Sequence, residues 1–201
     1  MSKLIDFYFD FSSPYSYLAS TRIDALAAEY GRSVEWRPIL LGAVFKAAGN
    51  QPLIAIPLKG EYSWHDLARS ARFNGIPYRQ PSHFPLATQA AARAMLWIQA
   101  QHGRALALRF AHAVYAEMYV QDVDISAVPQ VLRIGAGLGL DQATLAAALE
   151  TPEIKDRLKA EVTQAIERGV FGAPFVIADG EPFWGFDRFA QLAAHLKNGG
   201  I

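Results

Sequence analysis

No cysteine occurs in the 201 residues of this chain. That absence excludes disulfides, thiolate metal sites, iron–sulfur clusters and every cysteine nucleophile. It leaves the compartment open, because a reducing cytoplasm permits such an absence without demanding it. Net charge is missing as well, with 19 Lys and Arg against 19 Asp and Glu. Without a cationic excess the chain lacks the electrostatic footprint of a general nucleic-acid binder. No apolar run approaches the ~18 uncharged residues that a membrane-spanning helix needs. The opening MSKLIDFYFDF puts acidic residues where a secretory signal requires an apolar stretch. A cytoplasmic chain with no nucleic-acid or membrane partner is therefore expected. Internal repeats and low-complexity tracts are absent too. His65, His83, His102, His112 and His195 show no metal-ligand spacing, and no metal is expected. There is no GxSxG elbow, which argues against a Ser-His-Asp hydrolase. Gly135-Ala136-Gly137-Leu138-Gly139 lacks GxGxxG spacing and follows a helical stretch, so it is no nucleotide loop.

What is present is enough apolar residue, 52% of the chain, for one compact domain or one domain carrying a large insertion. In residues 4–11, Ile5, Phe7, Phe9 and Phe11 alternate with Asp6, Tyr8 and Asp10, the period of a strand. Ser12-Ser13-Pro14 follows, and residues 15–30 predict a helix stopped by Gly31, with Pro14 suited to its first turn. Residues 33–39 predict a second strand, and a right-handed βαβ unit with parallel strands is the economical assembly. From 41 to 168 no convincing strand appears. Helices are predicted over 62–74, 88–101, 104–119, 128–136, 142–149 and 152–168, with Ser126 and Asp141 as N-caps and Gly75 and Gly103 as stops. The segments 40–45, 49–59 and 75–85 read as loops. Strand signal returns in 175–178, Asp179-Gly180 reads as a hairpin turn, 182–184 as its partner strand, and 187–196 as a closing helix.

With the helical stretch removed, the order is β-α-β-α-β-β-α, that of a thioredoxin fold. The predicted class is α/β, a thioredoxin-like fold with a large all-helical insertion. Residues 1–40 and 169–201 form the thioredoxin-like domain, helix 152–168 bridges back to it, and 41–168 form the insertion domain.

Four places carry chemistry. Ser12 and Ser13 sit between a strand and a helix N-terminus, where unpaired N–H groups favour an anion. The competing reading is that either serine is only an N-cap. Pro174, after Ala173, starts a buried strand; in a thioredoxin fold it would be a cis proline that leaves the preceding backbone free to pair with a peptide-like ligand. Asp187, in Phe183-Trp184-Gly185-Phe186-Asp187-Arg188, reads either as a helix cap or as a carboxylate for a ligand ammonium. Asn50 follows Gly49 as an ordinary turn residue would, and Lys59, Arg79 and His83 lie in or beside the insertion loops as candidate partners for an anionic substrate.

The run from Asp6 through Phe9-Asp10-Phe11-Ser12-Ser13-Pro14-Tyr15-Ser16-Tyr17-Leu18 to Ala19 resembles the opening of 2-hydroxychromene-2-carboxylate isomerases, glutathione-dependent enzymes of naphthalene-type aromatic catabolism. Kappa-class glutathione transferases are their relatives. Gly49-Asn50, Lys59, Tyr62, Asp66-Leu67, Gly75-Ile76-Pro77, the run from Glu167 to Gly172 and Trp184-Gly185-Phe186-Asp187-Arg188 fall in that family's order and spacing. The likeness covers nearly the whole chain. In the wider superfamily of disulfide oxidoreductases a Cys-Pro-x-Cys signature corresponds to Ser13-Pro14-Tyr15-Ser16 here, and a serine pair cannot exchange a disulfide.

The resemblance implies a glutathione-dependent isomerase of small aromatic carboxylates, working by reversible thiolate addition. It implies that Ser13 is catalytic and donates to the glutathione sulfur, and that Ala173, before Pro174, pairs with the cysteinyl backbone. Asp187 would help bind the γ-glutamyl end, and Asn50 would lie near substrate and glutathione. Relatives suggest a homodimer. Phe186 departs from the Ser or Asn common before this aspartate, which implies weaker glutathione binding or a preference for a related thiol. Two alternatives remain: a kappa-type transferase conjugating electrophiles, and a non-catalytic thiol- or peptide-binding module.

Overall fold

The computed structural model describes residues 4–201. Strand β1 (Leu4–Phe9) runs parallel to β2 (Ser33–Pro38) and antiparallel to β3 (Phe175–Ala178), which pairs in turn with β4 (Glu181–Trp184). The sheet order is β2-β1-β3-β4. Between β1 and β2 lie α1 (Pro14–Ser20) and α2 (Ile23–Glu29). Seven helices then separate β2 from β3: α3 (Leu41–Ala48), α4 (Lys59–Phe73), α5 (Gln89–His102), α6 (Arg104–Tyr119), α7 (Val128–Gly137), α8 (Gln142–Glu150) and α9 (Pro152–Glu167). Helix α10 (Phe189–Asn198) closes the chain. This is the thioredoxin-like α/β core with a large added helical region. No helix of the described residues is long and apolar enough to cross a membrane.

The two-residue period of β1 sorts its side chains between two cores. Ile5, Phe7 and Phe9 join Trp36, Val176 and the insertion's Phe110 and Tyr115 on one face. Tyr8 turns to the other, with Phe175, Ile177, Val44, Leu96 and Leu158. The insertion therefore packs against both faces of the central strand.

The elements depart from the sequence expectation where a distant partner decides. Strand β1 stops at Phe9 because Asp10 opens a turn, with its own carbonyl accepting the Ser13 N–H at 2.9 Å. The helix expected over 15–30 is two helices, since the Ser20 and Thr21 hydroxyls donate back to the carbonyls of Tyr17 and Leu18 (2.7 and 2.8 Å) and end the first. Helix α3 stands where a loop was expected. Its first N–H, of Leu41, has no capping side chain nearby in sequence and is satisfied by the Asp10 carboxylate at 2.7 Å. Asp141 caps α8 as expected, donated to by Thr144 N–H at 2.8 Å, but Ser126 turns to Asp124 and Ala127 occupies the cap position of α7. The closing helix begins at Phe189, after a 3-10 turn over Phe186–Arg188.

Asp10 is 4% exposed and accepts three hydrogen bonds, from Leu41 N–H, Ser12 N–H (2.9 Å) and the Thr88 hydroxyl (2.7 Å). Burial raises its pKa above the ordinary carboxylate value, and the three donors oppose that rise. Asp10→Asn sets a donor against at least one of those donors, and a loss of about 1–3 kcal/mol in urea unfolding is expected. The sign of the pH dependence follows from the raised pKa. Folding takes up a proton between the unfolded value near 3.9 and the raised folded value, so this group's contribution falls as pH climbs through that window. The stability gap between wild type and Asp10→Asn should shrink over that range, and a gap that widens would show the burial argument to be wrong.

Candidate active site

Ser13 occupies the junction that the β1 turn and α1 create. Its extended backbone makes it the N-cap of α1, and its Oγ accepts the Ser16 N–H at 3.1 Å. The same hydroxyl donates to the carbonyl of Ala173 at 3.0 Å, across 160 residues of sequence. Ser13 is therefore not only an N-cap: it caps the helix and also faces the loop before β3. Ser12 goes elsewhere and accepts the Leu86 N–H at 3.1 Å. Ser16 is fully buried beside Ser13's turn of helix, where it cannot meet a ligand.

The Ala173–Pro174 peptide bond is cis. The Pro174 carbonyl accepts the Gly185 N–H at 3.0 Å, which ties this loop to the turn after β4. Among the described residues the Ala173 N–H has no hydrogen-bond partner, and neither has the Tyr15 N–H in the first turn of α1. Two backbone donors next to Ser13 are therefore unspent.

Above this junction lies a cleft of about 920 Å³, within the range of small-molecule sites. Asn50, Ala173, Pro174, Phe186 and Asp187 all line it. Ser13, 4% exposed, does not itself line the cleft but reaches a residue that does, through the bond of its hydroxyl to Ala173. Asn50 arrives from α3, beyond the left-handed Gly49, with its backbone N–H held by the Phe45 carbonyl at 2.9 Å. Asp187 is no helix cap, since Arg188 holds the cap position of α10 and no side chain bonds there. Its carboxylate is exposed on the cleft wall, 3.5 Å from the Arg188 guanidinium.

The expected anion partners fare differently. Arg79 pairs with Asp122 at 3.4 Å and His83 is an exposed loop residue; neither lines the cleft. Lys59 is exposed at the start of α4 and also lies off the lining. Arg188 is the one cation on the wall among the described residues. Sequence reasoning missed it as a site residue, although it ends the quoted Trp184–Arg188 run.

Tyr15, Asp66, Phe171 and Trp184 were missed as well. The Tyr15 hydroxyl donates to Asp66 at 2.8 Å, and Arg69 reaches the other Asp66 oxygen. Burial and the Asp66 carboxylate raise the Tyr15 pKa well above the usual phenol value, so it remains a donor. Also on the lining, the rings of Phe171 and Trp184 meet edge to face at 4.9 Å. Part of the lining is thus polar and part aromatic.

Residues 4–197 match the DSBA-like thioredoxin domain. The chain belongs to the DSBA-like thioredoxin family. Within that family it is 33% identical to 2-hydroxychromene-2-carboxylate isomerase of Sphingobium xenophagum, over 98% of this chain and 99% of that protein. Glutathione S-transferase kappa 1 of Caenorhabditis elegans is 29% identical over 98% of this chain and 93% of that one. A solved 2-hydroxychromene-2-carboxylate isomerase structure superposes with a TM-score of 0.86 at 28% identity, covering 96% of this chain and 94% of that one. This DSBA-like chain is thus a homologue of those isomerases, with kappa-class transferases among its relatives.

The aromatic wall depends on a glycine. A Cβ on Gly172 would stand 2.6 Å from the Trp184 Nε1, so the indole lies where a side chain would be. Gly172→Ala is expected to displace Trp184, destabilise by about 1–3 kcal/mol, and shift the indole fluorescence. A Trp184→Phe control assigns the signal, and an unchanged spectrum would place the indole elsewhere.

Proposed function

We propose that the chain is a glutathione-dependent isomerase converting 2-hydroxychromene-2-carboxylate-type substrates to trans-o-hydroxybenzylidenepyruvate-type products in aromatic catabolism. One observation carries this reading. In a chain without cysteine, a serine hydroxyl at a helix N-cap lies 3.0 Å from the carbonyl before a cis proline, in a residue that lines the cleft. The family relationship to the isomerases supports the reaction class, and the kappa-class relatives support the thiol.

The residues fit a tripeptide thiol. Unspent N–H groups at Ala173 and Tyr15 offer backbone pairing, and the exposed Asp187 carboxylate suits an ammonium. Glutathione, when bound, supplies the thiol that adds reversibly to the conjugated ring. Ser13 turns its hydroxyl from the Ala173 carbonyl to the sulfur while still accepting the Ser16 N–H; a donor to the anionic form favours thiolate over thiol. Ala173 holds the ligand's main chain in register, with Pro174 fixing the turn. Asn50 offers an amide from the α3 side of the cleft, and Arg188 a charge-assisted contact for the substrate carboxylate. The aromatic wall of Phe171 and Trp184 takes the substrate ring. Phe186, packed edge to face on Phe189 at 5.2 Å, offers no side-chain hydrogen bond, so the γ-glutamyl carboxylate is held less firmly here.

Ser13→Ala is expected to retain glutathione in calorimetric titration and to lower turnover about 100-fold or more. Undiminished turnover would remove Ser13 from the mechanism. Arg188→Gln should raise the KM of the carboxylate substrate about tenfold with kcat little changed, and an unaltered KM would assign that carboxylate to another group. Conjugation of chlorodinitrobenzene without chromene isomerisation would replace the isomerase reading with a kappa-type transferase. Glutathione binding with neither reaction would leave a thiol-binding module.

A further inference from the structure

A second cavity, of about 350 Å³, lies between α3 and α9. Helix α3 separates it from the cleft: Phe45 and Asn50 face the first, whereas Ala43 faces the second. The floor is apolar, built from Ala43, Leu158 and Val162. The rim is cationic, with Arg93 from α5 and Lys155 and Lys159 from α9. Lys155 and Lys159 are four residues apart on one helix and so share a face. A single carboxylate answers these three charges, Glu150, bonded to Lys155 at 2.7 Å. The Lys159 ammonium has no hydrogen bond or ion pair among the described residues. The Arg93 Nε is buried without any acceptor, an arrangement that is unfavourable unless something supplies one.

An apolar floor beneath uncompensated cations suits a ligand of matching halves. We propose that this cavity is a second ligand site, for a small organic anion that joins an aromatic ring to a carboxylate. The ring lies against Leu158 and Val162, where it displaces water from apolar surface. The carboxylate meets Lys159 and the guanidinium of Arg93, which line the cavity. The size of the cavity limits the ligand to one or two rings, at the lower end of small-molecule sites. An occupant braces α3, whose far end presents Asn50 to the cleft. The site does not depend on the isomerase reading, because no residue of the cleft contributes to it.

The test is a titration of 15N-labelled protein with 2-naphthoate, followed by amide shifts, with 2-naphthalenemethanol as the uncharged counterpart. Saturable shifts are expected at Ala43, Lys159 and Thr163, with binding about tenfold or more weaker for the alcohol. Lys159→Glu, at an exposed position, should weaken that response about tenfold or more while leaving naphthoate shifts around Ala173 and Asp187 intact. A wild-type titration without saturable shifts at those amides would overturn the proposal. So would a response that survives Lys159→Glu, or one that the alcohol reproduces at equal strength. If Lys159→Glu lost its amide dispersion, Lys159→Gln, which removes the charge only, is expected to weaken binding in the same direction.

Discussion

A single buried carboxylate holds the working end of this molecule together. Asp10 stands where β1 ends, and its oxygens accept from Ser12, Thr88 and Leu41. These donors belong to three pieces of chain: the turn that delivers Ser13, the start of α5, and the start of α3. One carboxylate thus joins the thioredoxin-like core to two helices of the insertion. Two tyrosines of α6 complete the clamp, with Tyr115 donating to the Asp10 carbonyl at 3.2 Å and Tyr119 to the Phe11 carbonyl at 3.1 Å. Burial makes each of these bonds consequential, since a donor left unmade there has no water to turn to.

The position of Ser13 follows from that clamp. Held by the turn on one side and by its own helix cap on the other, the hydroxyl has one direction left, toward the loop that precedes β3. On the proposed reading the sulfur that this fold places on a cysteine is brought in by the ligand, and the chain keeps the groups that tune it. Neutral overall charge fits the same picture. On that reading the partner is a small molecule held by local groups such as Asp187 and Arg188, and a chain of zero formal charge has no net-charge field to draw in a polyanion.

The α/β class, the parallel β1–β2 unit, the β3–β4 hairpin and most insertion helices were legible because they rest on short-range signals, whereas the antiparallel β1–β3 pair was not. Alternation wrote β1, the Asp179-Gly180 turn wrote the β3–β4 hairpin, and Asp141 wrote the start of α8. Of the candidate residues, Asn50, Ala173, Pro174, Phe186 and Asp187 line one cleft, and Ser13 is bonded to Ala173. Arg79 and His83 do not line it, because loops far from the sheet's end gave no positional signal and Asp122 holds Arg79. Helix α3 was illegible for a related reason: its capping group lies 31 residues away, and Gly42 and Gly49 obscure its apolar spacing.

The sequence by itself determined what chemistry is open to this chain. Without cysteine there is no disulfide exchange, and the serine between β1 and α1 can offer only a hydroxyl and a helix end. Those are properties of residue type and of neighbours a few positions apart. Tertiary structure alone decided which hydroxyl, Ser12 or Ser13, faces Ala173, that Asp187 is free of the helix it precedes, and that Arg188 is the cation beside it. The choice between the two serines depends on hydrogen bonds closed across 160 and 74 residues, and the local pattern carries no record of such distances.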